Sequence, residues 1–151
     1  MDLLEEFVSL SVLCWLATVD ESGMPNVSPK EVFDVVDGRL VIANIASPRT
    51  AANIKVNPWV CASLLDVFEQ QGLRVAGRAT VRSVAEPDAD GMRERLEAIT
   101  GGRFPFSEMF VVEVEGVQPY MAPSWHLFPG MDPVARREGA LRAYGVMDLP
   151  G

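Results

Sequence analysis

Residues 12–44 read VLCWLATVDESGMPNVSPKEVFDVVDGRLVIAN, in which apolar runs alternate with turn residues. Residues 12–19 are β-branched, aromatic and apolar, which is typical of a buried strand. A turn separates them from a second predicted strand at about 25–36. Asp37-Gly38 predicts a tight hairpin, because glycine accepts the positive φ that such turns require. A third predicted strand, 40–44, follows directly, so this stretch predicts consecutive antiparallel strands.

The rest of the chain adds strands and short helices to this pattern. Gly77 interrupts an otherwise regular strand, and an interior glycine indicates a bulge or a close backbone approach. The sequence has no G-x-G-x-x-G motif and no regular alternation of strand and helix, so a parallel sheet is not expected. The further predicted strands are 59–65, 73–84 and 110–117, and the predicted helices are 3–10, 47–56, 88–99 and 133–144.

The predicted architecture is a single, mainly β domain that spans residues 1–151. Its six hairpin-linked strands close most naturally as an antiparallel barrel, which we place at about 11–118. Residues 119–151 are rich in proline and glycine and are expected to form a tail. With 151 residues and 48% hydrophobic content, the chain is long enough to bury one core.

Charge and cysteine content exclude several classes of function. The formal net charge of −8 disfavours nucleic acid and anionic membranes as partners, because both attract a basic surface. Cys14 and Cys61 lie in apolar runs and are expected to be buried thiols rather than a disulfide or a nucleophile. The acidic start, with Lys30 as the first basic residue, does not fit a secretory signal, and no apolar run reaches membrane-spanning length. We expect a cytoplasmic protein.

The tetrapeptide Ser47-Pro48-Arg49-Thr50 is the strongest local indication of chemistry. Serine and proline are typical of the cap and the first position of a helix. The first turn of a helix offers unpaired N–H groups to an anion. Arg49 adds a forked cationic donor, and two hydroxyls flank it. The tetrapeptide therefore predicts a phosphate site, with an ordinary helix start as the alternative.

Residues 27–33 place polar side chains inside a predicted strand. With a period of two, Ser28, Lys30 and Val32 share one face. Glu31 disturbs the apolar character of the other face, so Pro29 is expected to mark a bulge. Lys30 is either a ligand-binding cation or a solvated lysine of an edge strand, and the pattern alone favours the solvated lysine.

Taken together, these segments resemble the pyridoxamine 5′-phosphate oxidase-related FMN-binding proteins, and most of all the small FMN-binding split barrels. The resemblance lies in the order and spacing of the pieces rather than in any single one. It implies a six-stranded antiparallel split β-barrel that holds FMN in the cleft of a homodimer. The matching segments are 16–19, 23–28, 37–40, 47–54, 57–58 and 75–79, and the predicted strand 110–117 fits the last barrel strand.

The resemblance also implies roles for individual residues. The strand at 27–32 would lie along the flavin ring, with Lys30 near the polar N1–O2 edge of the ring. The turn at 47–50 would hold the FMN phosphate. Trp125 and Phe128 are candidates for the tail aromatics that would cover the ring across the dimer. The implied cofactor-binding residues are Ser28, Pro29, Lys30, Val32, Ala43, Asn44, Ser47, Arg49, Thr50 and Trp125.

Two departures from the family pattern bear on activity. Many members carry Arg-Lys where this chain has Arg49-Thr50, and no segment matches the C-terminal part of the oxidase that binds the substrate phosphate. The implied activity is an FMN-dependent oxidoreductase, flavin reductase-like or oxidase-related, with a small-molecule electron donor or acceptor such as a nicotinamide nucleotide. The alternatives are a flavin or electron carrier without a substrate, and the same fold holding a deazaflavin or haem.

His126 is the one histidine of the chain. A Ser-His-Asp site would have to be built on it, and nothing in the sequence places its partners nearby. One histidine and two separated cysteines do not make a zinc site. His126 is therefore interpreted as a tail side chain that packs beside Trp125, with a lone haem ligand as the alternative.

Overall fold

Seven strands form one antiparallel sheet in the computed structural model, which describes residues 2–146. The order of the strands along the sheet is β2-β1-β5-β6-β7-β4-β3. The strands are β1 (Cys14–Val19), β2 (Pro25–Lys30), β3 (Phe33–Val36), β4 (Arg39–Ala43), β5 (Trp59–Asp66), β6 (Gln71–Ser83) and β7 (Glu108–Met121). The helices are α1 (Leu3–Leu10), α2 (Pro48–Val56), α3 (Asp90–Thr100), α4 (Ser124–Leu127) and α5 (Pro133–Ala143). The mainly β, antiparallel class that the sequence predicts is confirmed.

The sheet curls because its two edge strands are neighbours in the chain. Strands β2 and β3 lie at opposite edges, yet only Glu31 and Val32 join them. So short a connection spans roughly 11 Å at most, and the two edges therefore have to approach each other. The Ala43 N–H donates to the Val32 carbonyl oxygen at 2.9 Å and ties this crossing to the end of β4.

The crossing between the two edges corrects two predictions. The single strand expected at 25–36 is divided into β2 and β3, so the sheet has seven strands rather than six. The bulge expected at Pro29 is absent, since Pro29 stays in register opposite Trp15. The break comes two residues later, where the chain leaves one edge of the sheet for the other.

Both faces of β4 are buried, which explains the continuous apolar sequence of residues 40–43. Leu40 and Ile42 of β4 belong to the larger core cluster, which lies inside the curl and includes Phe110. Val41 and Ala43 point the other way, into a second cluster. Helix α3 contributes Met92 and Leu96 to that second cluster and covers it.

Gly77 fulfils the expectation of a close backbone approach. The pairing of β6 with β7 shifts register between Ala76 and Gly77. A Cβ built at Gly77 would collide with the carbonyl oxygen of Glu113 on β7. Glycine is therefore required here because the two strands approach too closely for a side chain.

The C-terminal region is more regular than the sequence predicts. Strand β7 continues to Met121, four residues past the predicted end, and α4 follows it directly. Helix α5 ends at Ala143, one residue before its predicted end. Residue 1 and residues 147–151 of the expected domain lie outside the described residues. Within the described range 2–146, no helix has the length and apolar character needed to cross a membrane.

Candidate functional site

Helix α2 begins with an open first turn. Ser47 occupies the cap position but makes no capping hydrogen bond with its side chain. Its hydroxyl donates instead to the Ile45 carbonyl oxygen at 3.1 Å. Pro48 brings no N–H, so the donors left for an external anion are the N–H groups that follow it. This turn has the backbone donors and the partial positive charge that a phosphate group requires.

The ammonium of Lys30, at the end of β2, contacts this turn. Its side chain is only 4% exposed. Its Nζ donates to Ser47 Oγ at 2.7 Å and to Thr50 Oγ1 at 3.0 Å. The solvated edge-strand lysine that the pattern favours is therefore wrong: Lys30 ends strand β2 where the chain turns inward, and it is buried between β2 and α2.

The neighbours of the buried Lys30 ammonium are uncharged. No ion pair of Lys30 is found within residues 2–146, and its Nζ lies 5.6 Å from the centre of the Phe110 ring. Burial lowers the pKa of Lys30, and the neighbouring Cys14 opposes this shift. Burial also raises the pKa of Cys14 to about 12, although Lys30 acts in the other direction. The thiol therefore stays neutral and supplies neither a counter-ion nor a nucleophile.

A second contact joins β2 to α2 beside the lysine. Ser28 Oγ and Thr50 Oγ1 are 3.3 Å apart, and Thr50 is only 2% exposed. Ser28 and Lys30 thus reach the same helix, as the period of two predicts. Val32 does not join them, because the crossing between β2 and β3 turns its side chain into the cluster under α3. Pro29 is exposed on the opposite face of β2.

The end of β4 contributes a polar group on one side of the turn. Asn44 donates through Nδ2 to Glu108 Oε2 at 3.1 Å, and its own Oδ1 is buried with no hydrogen-bond partner among residues 2–146. A cavity of about 480 Å³ runs from Asn44 along Ser47 and Pro48. Ala43 is buried and contributes only its backbone at this point.

Arg49 lies on the other side of the turn, exposed to solvent. It lines a hollow of about 250 Å³ together with Asn26 and Asn53. Asp20 shares this hollow, and its pKa lies below the usual range because the Ser22 hydroxyl and the Met24 N–H donate to it, with a small contribution from Arg49. Since none of the ion pairs among residues 2–146 involves Arg49, its guanidinium is available to a ligand.

Trp125 is another predicted site residue that the structure does not place against α2, besides Pro29 and Val32. Its indole N–H donates to the Glu69 carbonyl oxygen at 2.9 Å, in the turn between β5 and β6. The Arg136 guanidinium lies 4.0 Å over its ring. Phe128, the other tail candidate, is exposed, as is His126. Within the described range, no group of three or more potential metal ligands comes together.

Two buried polar residues near the turn were not identified from the sequence. Asn53 donates through Nδ2 to Thr18 Oγ1 at 2.9 Å, and both side chains are buried. Asn53 follows Arg49 by one helical turn, on a face that also carries Ala51 and Ile54. A polar residue on the buried face of a short amphipathic helix is the signal that would have identified it.

The family model of pyridoxamine 5′-phosphate oxidase matches residues 1–120. The chain belongs to this family. A curated relative, the pyridoxine/pyridoxamine 5′-phosphate oxidase of Bdellovibrio bacteriovorus, is 34% identical over 85 residues. That match covers 56% of this chain and 43% of the relative, so the chain spans less than half of the relative's length.

Solved structures with the same fold come from proteins with different ligands in their names. An FMN-binding protein from Syntrophomonas wolfei is 20% identical, with a TM-score of 0.64 over 77% of this chain and 82% of that chain. An F420 reductase is 20% identical, with a TM-score of 0.59 over 76% and 94%. The haem storage protein HutZ of Vibrio cholerae is 24% identical, with a TM-score of 0.60 over 78% and 91%. At these identities the likeness shows a shared fold.

Proposed function

We propose that the protein is an FMN-dependent oxidoreductase that binds the phosphate of FMN at the first turn of α2. The observation that carries the proposal is the open turn itself. Ser47 leaves the turn uncapped, Lys30 lies buried against it, and among residues 2–146 neither Arg49 nor Lys30 forms an ion pair. Hydroxyls, backbone N–H groups and cations are the donors that a phosphate monoester prefers.

The two hollows beside the turn give an FMN molecule room to extend from its phosphate. One runs past Asn44, whose buried Oδ1 has no partner within the described part of the chain, and the other runs past Asn26 and Arg49. When bound, FMN would supply hydride-transfer chemistry. The residues of this chain would bind and orient it, and a nicotinamide nucleotide is the proposed electron donor. The match to the oxidase family and the fold shared with an FMN-binding protein support this choice of cofactor.

We further propose that a second copy of this chain completes the site. Trp15 on β1 and Trp59 on β5 are 41% and 46% exposed on the sheet surface, and Val27 on β2 lies two positions along from Pro29, which pairs with Trp15. Exposed aromatic and aliphatic residues grouped on a sheet are typical of protein interfaces. A homodimer through this face, in the cytoplasm, is consistent with the family resemblance.

Reconstitution with FMN tests the cofactor. The purified protein is incubated with FMN, desalted, and examined by visible absorption and by gel filtration with light scattering. We expect close to one flavin per chain in a dimeric peak, and NADH oxidation that depends on the bound flavin. A protein that retains no flavin at micromolar concentration would rule out the proposal.

The same sample separates two other candidates. The shared fold of an F420 reductase and a haem storage protein makes a deazaflavin and haem the competing ligands, and exposed His126 is the histidine that haem would need. Their absorption bands differ from those of FMN, so parallel titrations rank the three ligands. A flavin carrier without a substrate would bind FMN but would not oxidise NADH.

A further inference from the structure

We propose that the buried ammonium of Lys30 serves the phosphate end of the cofactor, supplying from strand β2 the second cation that the turn of α2 lacks. This inference rests on the proposed FMN site and makes it more specific. It also differs from the role at the polar edge of the flavin ring that the family resemblance implies for the same residue.

The direction of the lysine side chain is fixed by two hydroxyls of α2. Nζ of Lys30 donates to Ser47 Oγ and Thr50 Oγ1, which lie on either side of Arg49 in the chain. The ammonium therefore lies against the first turn of the helix and contacts the residues at both ends of it. An anion that accepts the free N–H groups of this turn would lie close to the charge.

Arg49 and Thr50, the two side chains that follow Pro48, have opposite environments. Arg49 is exposed, whereas Thr50 is buried against Lys30. The turn itself thus offers a single cation to solvent. A phosphate monoester carries close to two negative charges at neutral pH, and Lys30 brings the second positive charge from the opposite side.

Burial explains why an anion is expected at this place. A charged group in a protein interior is strongly unfavourable unless a partner compensates it. Within residues 2–146, Lys30 forms no salt bridge, and its neighbours are two neutral hydroxyls and the ring of Phe110. A dianionic group at the turn would provide the missing compensation, and the helix and the lysine would bind it jointly.

The test compares FMN with riboflavin, which has the same ring but no phosphate. Dissociation constants for both flavins are measured by fluorescence quenching in the wild type and in Lys30→Met, at fixed ionic strength. We expect Lys30→Met to weaken FMN binding about 10- to 100-fold, the range for a charged hydrogen-bonding partner, and to change riboflavin binding less than about threefold.

Two controls keep this comparison interpretable. Arg103→Met removes one exposed positive charge after α3 and should change neither dissociation constant. Thr50→Val keeps the shape of its side chain but removes one anchor of the ammonium. It should weaken FMN binding several-fold and spare riboflavin, and it provides the test if Lys30→Met does not fold, as judged by circular dichroism.

Each outcome decides the inference. Equal losses of FMN and riboflavin affinity would place Lys30 at the ring and overturn it, as would unchanged FMN affinity in both variants. If the wild type binds neither flavin, the proposed function fails and the inference fails with it. If the wild type binds FMN but the variants show no phosphate-specific loss, the inference alone fails.

Discussion

Asn53 of α2 donates a hydrogen bond to Thr18 Oγ1 of β1 at 2.9 Å, and both side chains are buried. This bond fixes the helix on the sheet one turn after Arg49, and it thereby sets the position of the open first turn. The position of the candidate site thus depends on a buried polar contact between α2 and β1.

A double-mutant cycle measures how much the hydrogen bond between Asn53 and Thr18 contributes to the free energy of unfolding. Thr18→Val leaves the Asn53 amide buried without its acceptor, which should lower the free energy of unfolding by about 1–3 kcal/mol. Adding Asn53→Leu removes the stranded amide, so the double variant should be less destabilised than the sum of the single variants. Urea denaturation of the four proteins checks this, and simple additivity would show that the bond contributes nothing.

Removing the outward-facing cation of the turn tests the phosphate site directly. Arg49→Ala should weaken FMN binding by about 1.5–3 kcal/mol, the range for a hydrogen bond to a charged group. Because Arg49 is exposed and unpaired among residues 2–146, the melting temperature of the protein without flavin should not change. Fluorescence titration and thermal melts give the two numbers, with Arg103→Ala as the control. Unchanged FMN affinity would contradict the assignment.

The sequence predicts the elements of this fold better than it predicts the path between them. Apolar runs and the Asp37-Gly38 hairpin locate most strands, since burial and turn geometry are encoded locally. The division of residues 25–36 into β2 and β3 is not encoded locally. It arises because the sheet curls until the chain can cross from one edge to the other at Glu31 and Val32.

The same distinction applies to the site. A serine and a proline at a helix start identify the turn of α2 from the sequence alone. The burial of Lys30 could not be obtained in this way, because its two partners are 17 and 20 residues further along the chain. The indole of Trp125 donates to the Glu69 carbonyl oxygen in the β5–β6 turn, and its role at a flavin ring across a dimer stays a prediction.

Lys30 should also make the stability of the protein depend on pH. Burial lowers its pKa in the folded protein, so between this lowered pKa and 10.5 the unfolded chain binds more protons than the folded chain. Stability should therefore rise with pH from the lowered pKa of Lys30 up to 10.5. Cys14 acts in the opposite direction, because its raised pKa costs stability as the pH rises above 9.0.

The contribution of Lys30 is isolated by difference. Thermal melts of the wild type and Lys30→Met are recorded against pH, and the two curves are subtracted, so that Cys14 largely cancels. The gap between them should change with pH in the alkaline range, because the wild type alone recovers stability as the lysine loses its proton. Bound FMN should oppose the effect of burial and shift this change to higher pH. Parallel curves without flavin would show that the pKa of Lys30 is not lowered.

Arg136 connects α5 to α4 through hydrogen bonds, and its removal should lower the local stability of α4. This side chain is 5% exposed, and it donates to Ser124 Oγ at 3.1 Å and to the Phe128 carbonyl oxygen at 3.2 Å while it covers Trp125. Arg136→Met should lose these charged hydrogen bonds and the cation–π contact, together about 2–4 kcal/mol of local stability.

Hydrogen exchange by mass spectrometry is the measurement for this prediction. Peptides that cover residues 122–132 should exchange faster in Arg136→Met, whereas peptides from β1 and β5 should keep the wild-type rate. Arg142→Met, which removes an exposed arginine from the same helix, is the matched control. Equal exchange rates of α4 in Arg136→Met and in the control would contradict the prediction. The position of α4 would then be stabilised by the hydrogen bond from Trp125 to Glu69 and by the contacts of Arg137 with Glu69 and Phe68.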